Sequence, residues 1–164
     1  MEVQAEPVTR EALRRAYEAH HLALVRVATL LTGDQAAGED LVHDVFLRCR
    51  GRLEGMDDRE TYAYLRRSLV NAWRNRLRHG DVEARAIPRL IAPGASEPTS
   101  EVDAREALWW AIQGLPDRQR AVLVLRYYED LPDAEIARLL GCARVTVRTQ
   151  AKRALEKLRE VVER

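Results

Sequence analysis

The stretch LPDAEIARLLGCARVTVRTQAKRALEKLR, residues 131–159, decides the reading of this chain. Pro132 sits where a helix begins, since its fixed φ and missing N–H suit a first helical position. A short helix follows from Asp133 to Leu140 with Ile136, Leu139 and Leu140 inward, and Gly141-Cys142-Ala143 makes a tight turn. A last long helix then runs from about Arg144 to the C-terminus, with Val147, Ala151, Leu155, Leu158 and Val162 as its inward stripe. These are the proportions of a helix-turn-helix. Arg144, Arg148, Thr149, Lys152 and Arg153 project from the N-terminal half of the second helix. A helix so placed in a major groove points its first N–H groups at phosphate and offers arginines to guanine O6 and N7. From spacing alone, a helical hairpin whose bases merely solvate a surface stays open as the alternative.

Upstream, Ser100 and Asp103 form a capping-box arrangement before Leu108, Trp109, Ile112 and Leu115. Pro116 opens another helix, whose buried side is Ala121, Val122, Leu125 and Tyr128. Further back, residues 81–100 carry Pro88, Pro93, Pro98 and Gly94 without a helical period and read as a flexible linker. The first 80 residues again read as helices. Thr9 is a candidate N-cap for a helix with Leu13, Tyr17, Leu24, Val27 or Ala28, and Leu31 on one side, and Gly33 stops it. Asp34 caps a second helix with Leu41, Val42, Val45, Phe46 and Cys49 inward, and Gly51 and Gly55 bracket its end. Asp57 or Asp58 opens a third, striped by Leu65, Leu69, Trp73 and Leu77, with Arg66, Arg67, Asn71, Arg74, Asn75 and Arg78 largely outside the stripe. The expected fold is all-α: two small helical domains, residues 1–80 and 101–164, joined by the linker 81–100, the second holding the helix-turn-helix.

Composition narrows the function. The chain has 164 residues, 46% hydrophobic and 32% charged, and a formal net charge of +1, so the sum favours no polyanion. The pattern does. Residues 61–80 hold five arginines and no acid, and residues 138–159 hold seven bases and one acid. Between the two basic blocks, residues 81–104 carry five acids and two arginines, while residues 34–60 carry eight acids and four arginines. No apolar run approaches the roughly 18 residues of a membrane span, and MEVQAEPVTR has acids where a targeting peptide has bases, so a cytoplasmic protein without membrane contact is expected. Cys49 and Cys142 lack a CxxC or a Cys/His ladder, which points to buried free thiols rather than a disulfide or zinc. Adjacent His20 and His21 point about 100° apart on a helix, and with His43 and His79 they suggest no metal site, no cofactor and no enzyme.

Residues 115–159, LPDRQRAVLVLRYYEDLPDAEIARLLGCARVTVRTQAKRALEKLR, resemble region four of the extracytoplasmic-function group of sigma-70 family bacterial sigma factors. Residues 39–78, with EDLVHDVFLRC and YLRRSLVNAWRNRLR, resemble region two of the same group, in the same order and across a similar linker. The resemblance implies a non-catalytic subunit that binds core RNA polymerase and promoter DNA. It implies that Arg148, Thr149, Lys152 and Arg153 read the minus-thirty-five element, with Arg144 and Gln150 as phosphate or secondary contacts. Region two would open and read the minus-ten element with Arg66, Arg67, Asn71, Arg74, Asn75 and Arg78. Tyr62 and Tyr64 are candidate walls for an unstacked base, whereas Trp73, on the apolar stripe, is expected in the core. Glu39, Asp40, His43 and Asp44 fall on the family's docking helix for the polymerase clamp. An anti-sigma factor is a further candidate partner.

The chain departs from the family pattern at several positions. His43 and Asp44 replace a common glutamine and glutamate, Asn75 a common aspartate, Ala143 a serine N-cap, and Val145 a small residue. Losing the serine cap forfeits about 0.5–2 kcal/mol unless another group meets the N–H donors. A linker of about 20 residues spans roughly 25 Å relaxed and about 70 Å at full stretch, against about 70 Å for two turns of DNA. Holding both domains on such sites therefore calls for a scaffold. The rival reading is a self-sufficient helix-turn-helix regulator, which would need a dimerisation surface, and the last helix has no sustained heptads to supply one.

Overall fold

A computed structural model describes residues 5–80 and 101–163. The chain divides into two compact units, Met1–Arg78 and His79–Arg164, and the described residues form helices without strands. The linker read at 81–100 and the cap read at Ser100 lie outside the described residues.

The first unit holds α1 (Ala5–Thr32), α2 (Gln35–Cys49), a single 3-10 turn (Arg50–Arg52) and α3 (Asp58–Arg78). Helix α1 starts at Ala5, so Thr9 is not its N-cap. Pro7 falls in the first turn, where its missing N–H costs nothing, and the Thr9 hydroxyl instead donates to the Glu54 carboxylate in the loop after α2. The stop at Gly33 is as expected: φ is +81°, and its N–H donates to the Thr29 carbonyl at 2.8 Å. Asp34 caps α2 by accepting the Ala37 N–H at 2.8 Å. Asp57 and Glu60 form a reciprocal box at the start of α3, each side chain accepting the other's backbone N–H, at 2.8 and 2.9 Å.

Packing in this unit follows the apolar periods. Leu24, Val27, Ala28 and Leu31 of α1, Leu41, Val42, Val45 and Phe46 of α2, and Leu65, Leu69 and Val70 of α3 are buried together. Trp73 is 4% exposed and belongs to this core. The crossing of α1 and α2 depends on Gly38, where a Cβ would lie 2.8 Å from Thr29 Oγ1 and 2.9 Å from its backbone nitrogen. Cys49 is a buried free thiol, 3.4 Å from the Ser68 hydroxyl.

The second unit holds α4 (Glu101–Gln113), α5 (Asp117–Leu123) running on into a π-helical turn (Val124–Tyr128), α6 (Asp133–Leu140) and α7 (Arg144–Val162). Pro116 and Pro132 each stand one residue before their helix, in extended conformation. Gly141 takes the left-handed conformation, φ +64°, and the Cys142 N–H closes the turn onto the Ala137 carbonyl at 3.0 Å. Ile136, Leu139 and Leu140 of α6 and Val147 and Ala151 of α7 are buried, as their spacing predicts. Cys142 is a free thiol, half-buried rather than buried.

Four expected core positions are corrected, the first being Tyr17 of α1, which is 44% exposed while Ala12 and Ala16 take the inward places there. Leu108 is 48% exposed, because α4 touches the unit chiefly through α7 and buries none of its side chains among the described residues. Tyr128 is 49% exposed, since the wider π turn rotates it off the face that Ala121, Val122 and Leu125 bury. On α7 the inward residue after Ala151 is Ala154, not Leu155, which faces out; Leu158 is half-buried against Leu115, Leu123 and Ala154. The Val162 side chain lies outside the described residues.

A buried arginine completes the unit. Arg120 donates to Asp117 Oδ1 at 2.8 Å, to the Leu115 carbonyl at 3.2 Å and to the Gln113 carbonyl at 3.5 Å. It thereby reaches the carbonyl of the last residue of α4, at the end of the helix where backbone carbonyls run out of intrahelical donors.

Candidate nucleic-acid interface

On α7, the inward anchors Val147, Ala151 and Ala154 leave Arg144, Arg148, Thr149, Lys152 and Arg153 exposed, with Gln150 half-buried beside them. No described side chain caps the helix at Ala143, so its first N–H groups keep their positive end for an anion. Thr149 donates its hydroxyl to the Val145 carbonyl at 2.9 Å, which leaves that oxygen to accept. Lys152 makes only a loose pair with Glu156, at 3.9 Å. Arg148 is tied back: its Nε donates to Asp133 Oδ2 at 3.3 Å.

On α3 the predicted residues divide into two environments. Arg67, Asn71, Asn75 and Arg78 are exposed, with Arg78 donating to Asn75 Oδ1 at 3.1 Å, and Arg74 is half-buried. Arg66, expected outside the apolar stripe, is instead buried, its guanidinium 5.4 Å from the centre of the Tyr62 ring. The reason is the i,i+4 spacing to Tyr62 on the same helix, whose aromatic face covers the guanidinium. Tyr62 is half-buried between Arg66 and His20, whose ring lies 5.2 Å away, and Tyr64 is half-buried too. His20 Nε2 lies 2.9 Å from Asp58 Oδ1, which brings the start of α3 against α1.

Helix α2 turns Glu39, Asp40 and His43 outward. Gln35 Nε2 donates to Glu39 Oε1 at 2.9 Å. Asp44 is half-exposed and pairs with Arg76 of α3 at 3.1 Å, so one of the four candidate docking side chains is already held within the unit. On the outer face of α1, Arg14 donates to Glu11 at 2.7 Å, and that hydrogen bond holds the Glu11 carboxyl below its ordinary range.

Sequence reasoning missed Arg76, Asp133, Arg120 and Gly38. A signal existed for the first: Arg76 is one of the five arginines of residues 61–80, and it was left out of the outward set without being given a partner. Arg120 had a local signal too, the i,i+3 spacing to Asp117 on its own helix, whereas the partners of Asp133 and Gly38 come from other elements.

Two helical units, one of them a helix-turn-helix with a cationic outer face, define the class of helix-turn-helix DNA-binding proteins. The family models sharpen this: Sigma-70 region 2 matches residues 16–82, and Sigma-70, region 4 matches residues 105–158. The RNA polymerase sigma-E factor of Streptomyces avermitilis is 34% identical over 148 residues, covering 86% of this chain and 79% of that one. The ECF RNA polymerase sigma factor SigM of Mycobacterium tuberculosis is 31% identical over 150 residues, covering 91% of this chain and 76% of that one. In three dimensions the chain is similar to the sigma factor RpoE of Bartonella quintana, solved in complex with the anti-sigma factor NepR. The TM-score is 0.64 at 22% identity over 86% of this chain and 90% of that one, a likeness that speaks for the fold. The chain belongs to the sigma-70 family of RNA polymerase sigma factors, in its extracytoplasmic-function group. No helix among the described residues is long and apolar enough to cross a membrane.

Proposed function

We propose that this chain acts in the cytoplasm as the promoter-specificity subunit of RNA polymerase, without catalytic activity of its own. In this reading the domain of residues 101–164 reads the minus-thirty-five element through α7, with Arg148, Thr149, Lys152 and Arg153 at base edges and Arg144 and Gln150 as phosphate or secondary contacts. The domain of residues 1–80 docks on core polymerase through Glu39, Asp40, His43 and Asp44 of α2, where acids suit a basic partner and raise the rate of encounter. Its α3 opens and reads the minus-ten element through Arg67, Asn71, Arg74, Asn75 and Arg78, with Tyr62 and Tyr64 beside the unstacked bases. Arg66 then contributes by stiffening Tyr62 from below and through any part of its guanidinium that strand opening uncovers.

The observation that carries the reading is the amphipathic division of α7: its inner residues are buried while Arg144, Arg148, Lys152 and Arg153 stand in solvent on the outer face. Four cations in the first three turns of a recognition helix have phosphate and guanine as their natural partners. The sigma factor RpoE of Bartonella quintana is solved with an anti-sigma factor, and a protein inhibitor that covers the α7 or α2 face is the matching regulator for this chain. The test is run-off transcription with core polymerase, this chain and genomic promoter fragments. Specific transcripts should require both proteins. Start-site choice that is the same with and without the chain would refute the proposal, and tight palindromic binding by an isolated dimer would favour the self-sufficient regulator.

A further inference from the structure

Asp133 opens α6, but its carboxylate serves two other elements. Oδ1 lies 3.5 Å from Nε of Arg126, on the π-helical turn, and Oδ2 accepts from Nε of Arg148, on α7, at 3.3 Å. Its side chain is 15% exposed and that of Arg148 65%, so the carboxylate lies on the protein side of the pair and the guanidinium on the solvent side. Arg126 is itself steadied, with its guanidinium 5.8 Å from the centre of the Tyr127 ring. The acid is therefore fixed at one oxygen and offers the other to the helix that faces DNA.

We propose that Asp133 is a positioning residue that sets base specificity: it holds Arg148 by Nε and aims the two terminal nitrogens outward as an end-on fork for one guanine. This rests on the reading of α7 as the upstream-element reader. A guanidinium carries five N–H donors on a rigid plane and can meet an acceptor pair by its Nε edge or by its tip. With the Nε edge taken, the tip remains, and in the major groove only guanine presents two acceptors, O6 and N7, to such a fork. An untethered arginine would also swing to a phosphate, which carries no sequence information. Holding the side chain in advance removes part of the ordering cost of binding. The buried position of the carboxylate keeps it back from the phosphates while its charge offsets Arg126 and Arg148 in the free protein.

The test uses holoenzyme assembled from core polymerase and the full chain, transcribing templates randomised across the upstream element, with the transcripts sequenced. The wild type should prefer guanine at one position, and Arg148→Ala should flatten that position alone. Asp133→Ala should lower the same preference about fivefold or more, leaving the other positions unchanged. Asp133→Asn, whose amide oxygen still accepts from Nε, should keep the preference. Adding Asp133→Ala to Arg148→Ala should flatten the position no further. An unchanged guanine preference in Asp133→Ala overturns the proposal, as does an equal loss at every position. If Asp133→Ala does not fold, Asp133→Asn decides, and a flattened position in that variant overturns the proposal as well. A wild type with no preference anywhere in the upstream element refutes the reading of α7 and this proposal together, and Arg148→Ala separates that case from a failure of Asp133 alone.

Discussion

Replacing Arg120 with alanine should unfold the helix-turn-helix unit more effectively than any change to its exposed arginines. Arg120 is buried, and it gives one charge-assisted bond to Asp117, at 2.8 Å, and one to the Leu115 carbonyl, at 3.2 Å, with Gln113 O at 3.5 Å beside them. A hydrogen bond to a charged group contributes about 1.5–3 kcal/mol, and a stranded buried acceptor costs about 1–3 kcal/mol. Asp117 is about one-third exposed, 32%, and water can partly recover it, which limits the loss at that end. The expected destabilisation is about 3–5 kcal/mol, in the range for breaking a buried pair. For a unit of this size that corresponds to a midpoint fall of about 12 °C or more. Hydrogen exchange on the full chain should show lost protection within residues 101–163 and none within residues 5–80. The Asp117→Ala, Arg120→Ala double variant should lose less than the sum of the single changes, since the two share one interaction. A change under about 1 kcal/mol in Arg120→Ala would mean that solvent already satisfies these carbonyls, and the account of how α4 is tied to α5 would be wrong.

Other expectations follow from single contacts. Trp73→Ala should cost about 3–5 kcal/mol in chemical denaturation, while Trp73→Phe keeps promoter opening, because the ring is core and not a stacking platform. Gly38→Val should lower stability by about 1–3 kcal/mol, since its side chain meets the Thr29 backbone, and in hydrogen exchange the loss should centre on the α1–α2 crossing. Charge reversal at Glu39 and Asp40 should slow association with core polymerase and weaken its salt dependence in stopped-flow binding, with the thermal midpoint unchanged. Arg148→Ala should cost about 1–3 kcal/mol in binding to the upstream element and relax preference at one position; an equal loss on all sequences would mark a phosphate contact instead.

Much of the first unit was legible because its signals are local. Gly33 must take a positive φ at the end of α1, Asp34 must reach an N–H three residues on, and Leu65, Leu69 and Trp73 repeat at helical spacing toward one core. Arg66 shows where that logic stops. Its place beside the apolar stripe reads as outward, yet it is buried, with the Tyr62 ring one turn earlier on the same helix against its guanidinium, an i,i+4 pairing that apolar periodicity does not count. The second unit shows a different failure. A π turn at Val124–Tyr128 breaks the 3.6-residue period, so counting carried Tyr128 inward when the chain turns it out. Leu155 was misread for a related reason: hydrophobicity favoured it over Ala154, but the partner helices of α7 approach closely enough to take the smaller side chain.

Helix starts and stops, the helix-turn-helix spacing and the alternation of acidic and basic blocks all arise within a few residues of one another, so the amino-acid order carries them and with them the family. Which charges stay in solvent and which are held is a matter of long-range pairing. Asp44 with Arg76, Asp133 with Arg126 and Arg148, and Arg120 with the end of α4 join positions on different helices. Only the packing of those helices brings such groups to within about 3.5 Å, where a charge-assisted hydrogen bond acts. That distance, not the residue type, separates an arginine held by another helix from one left to solvent.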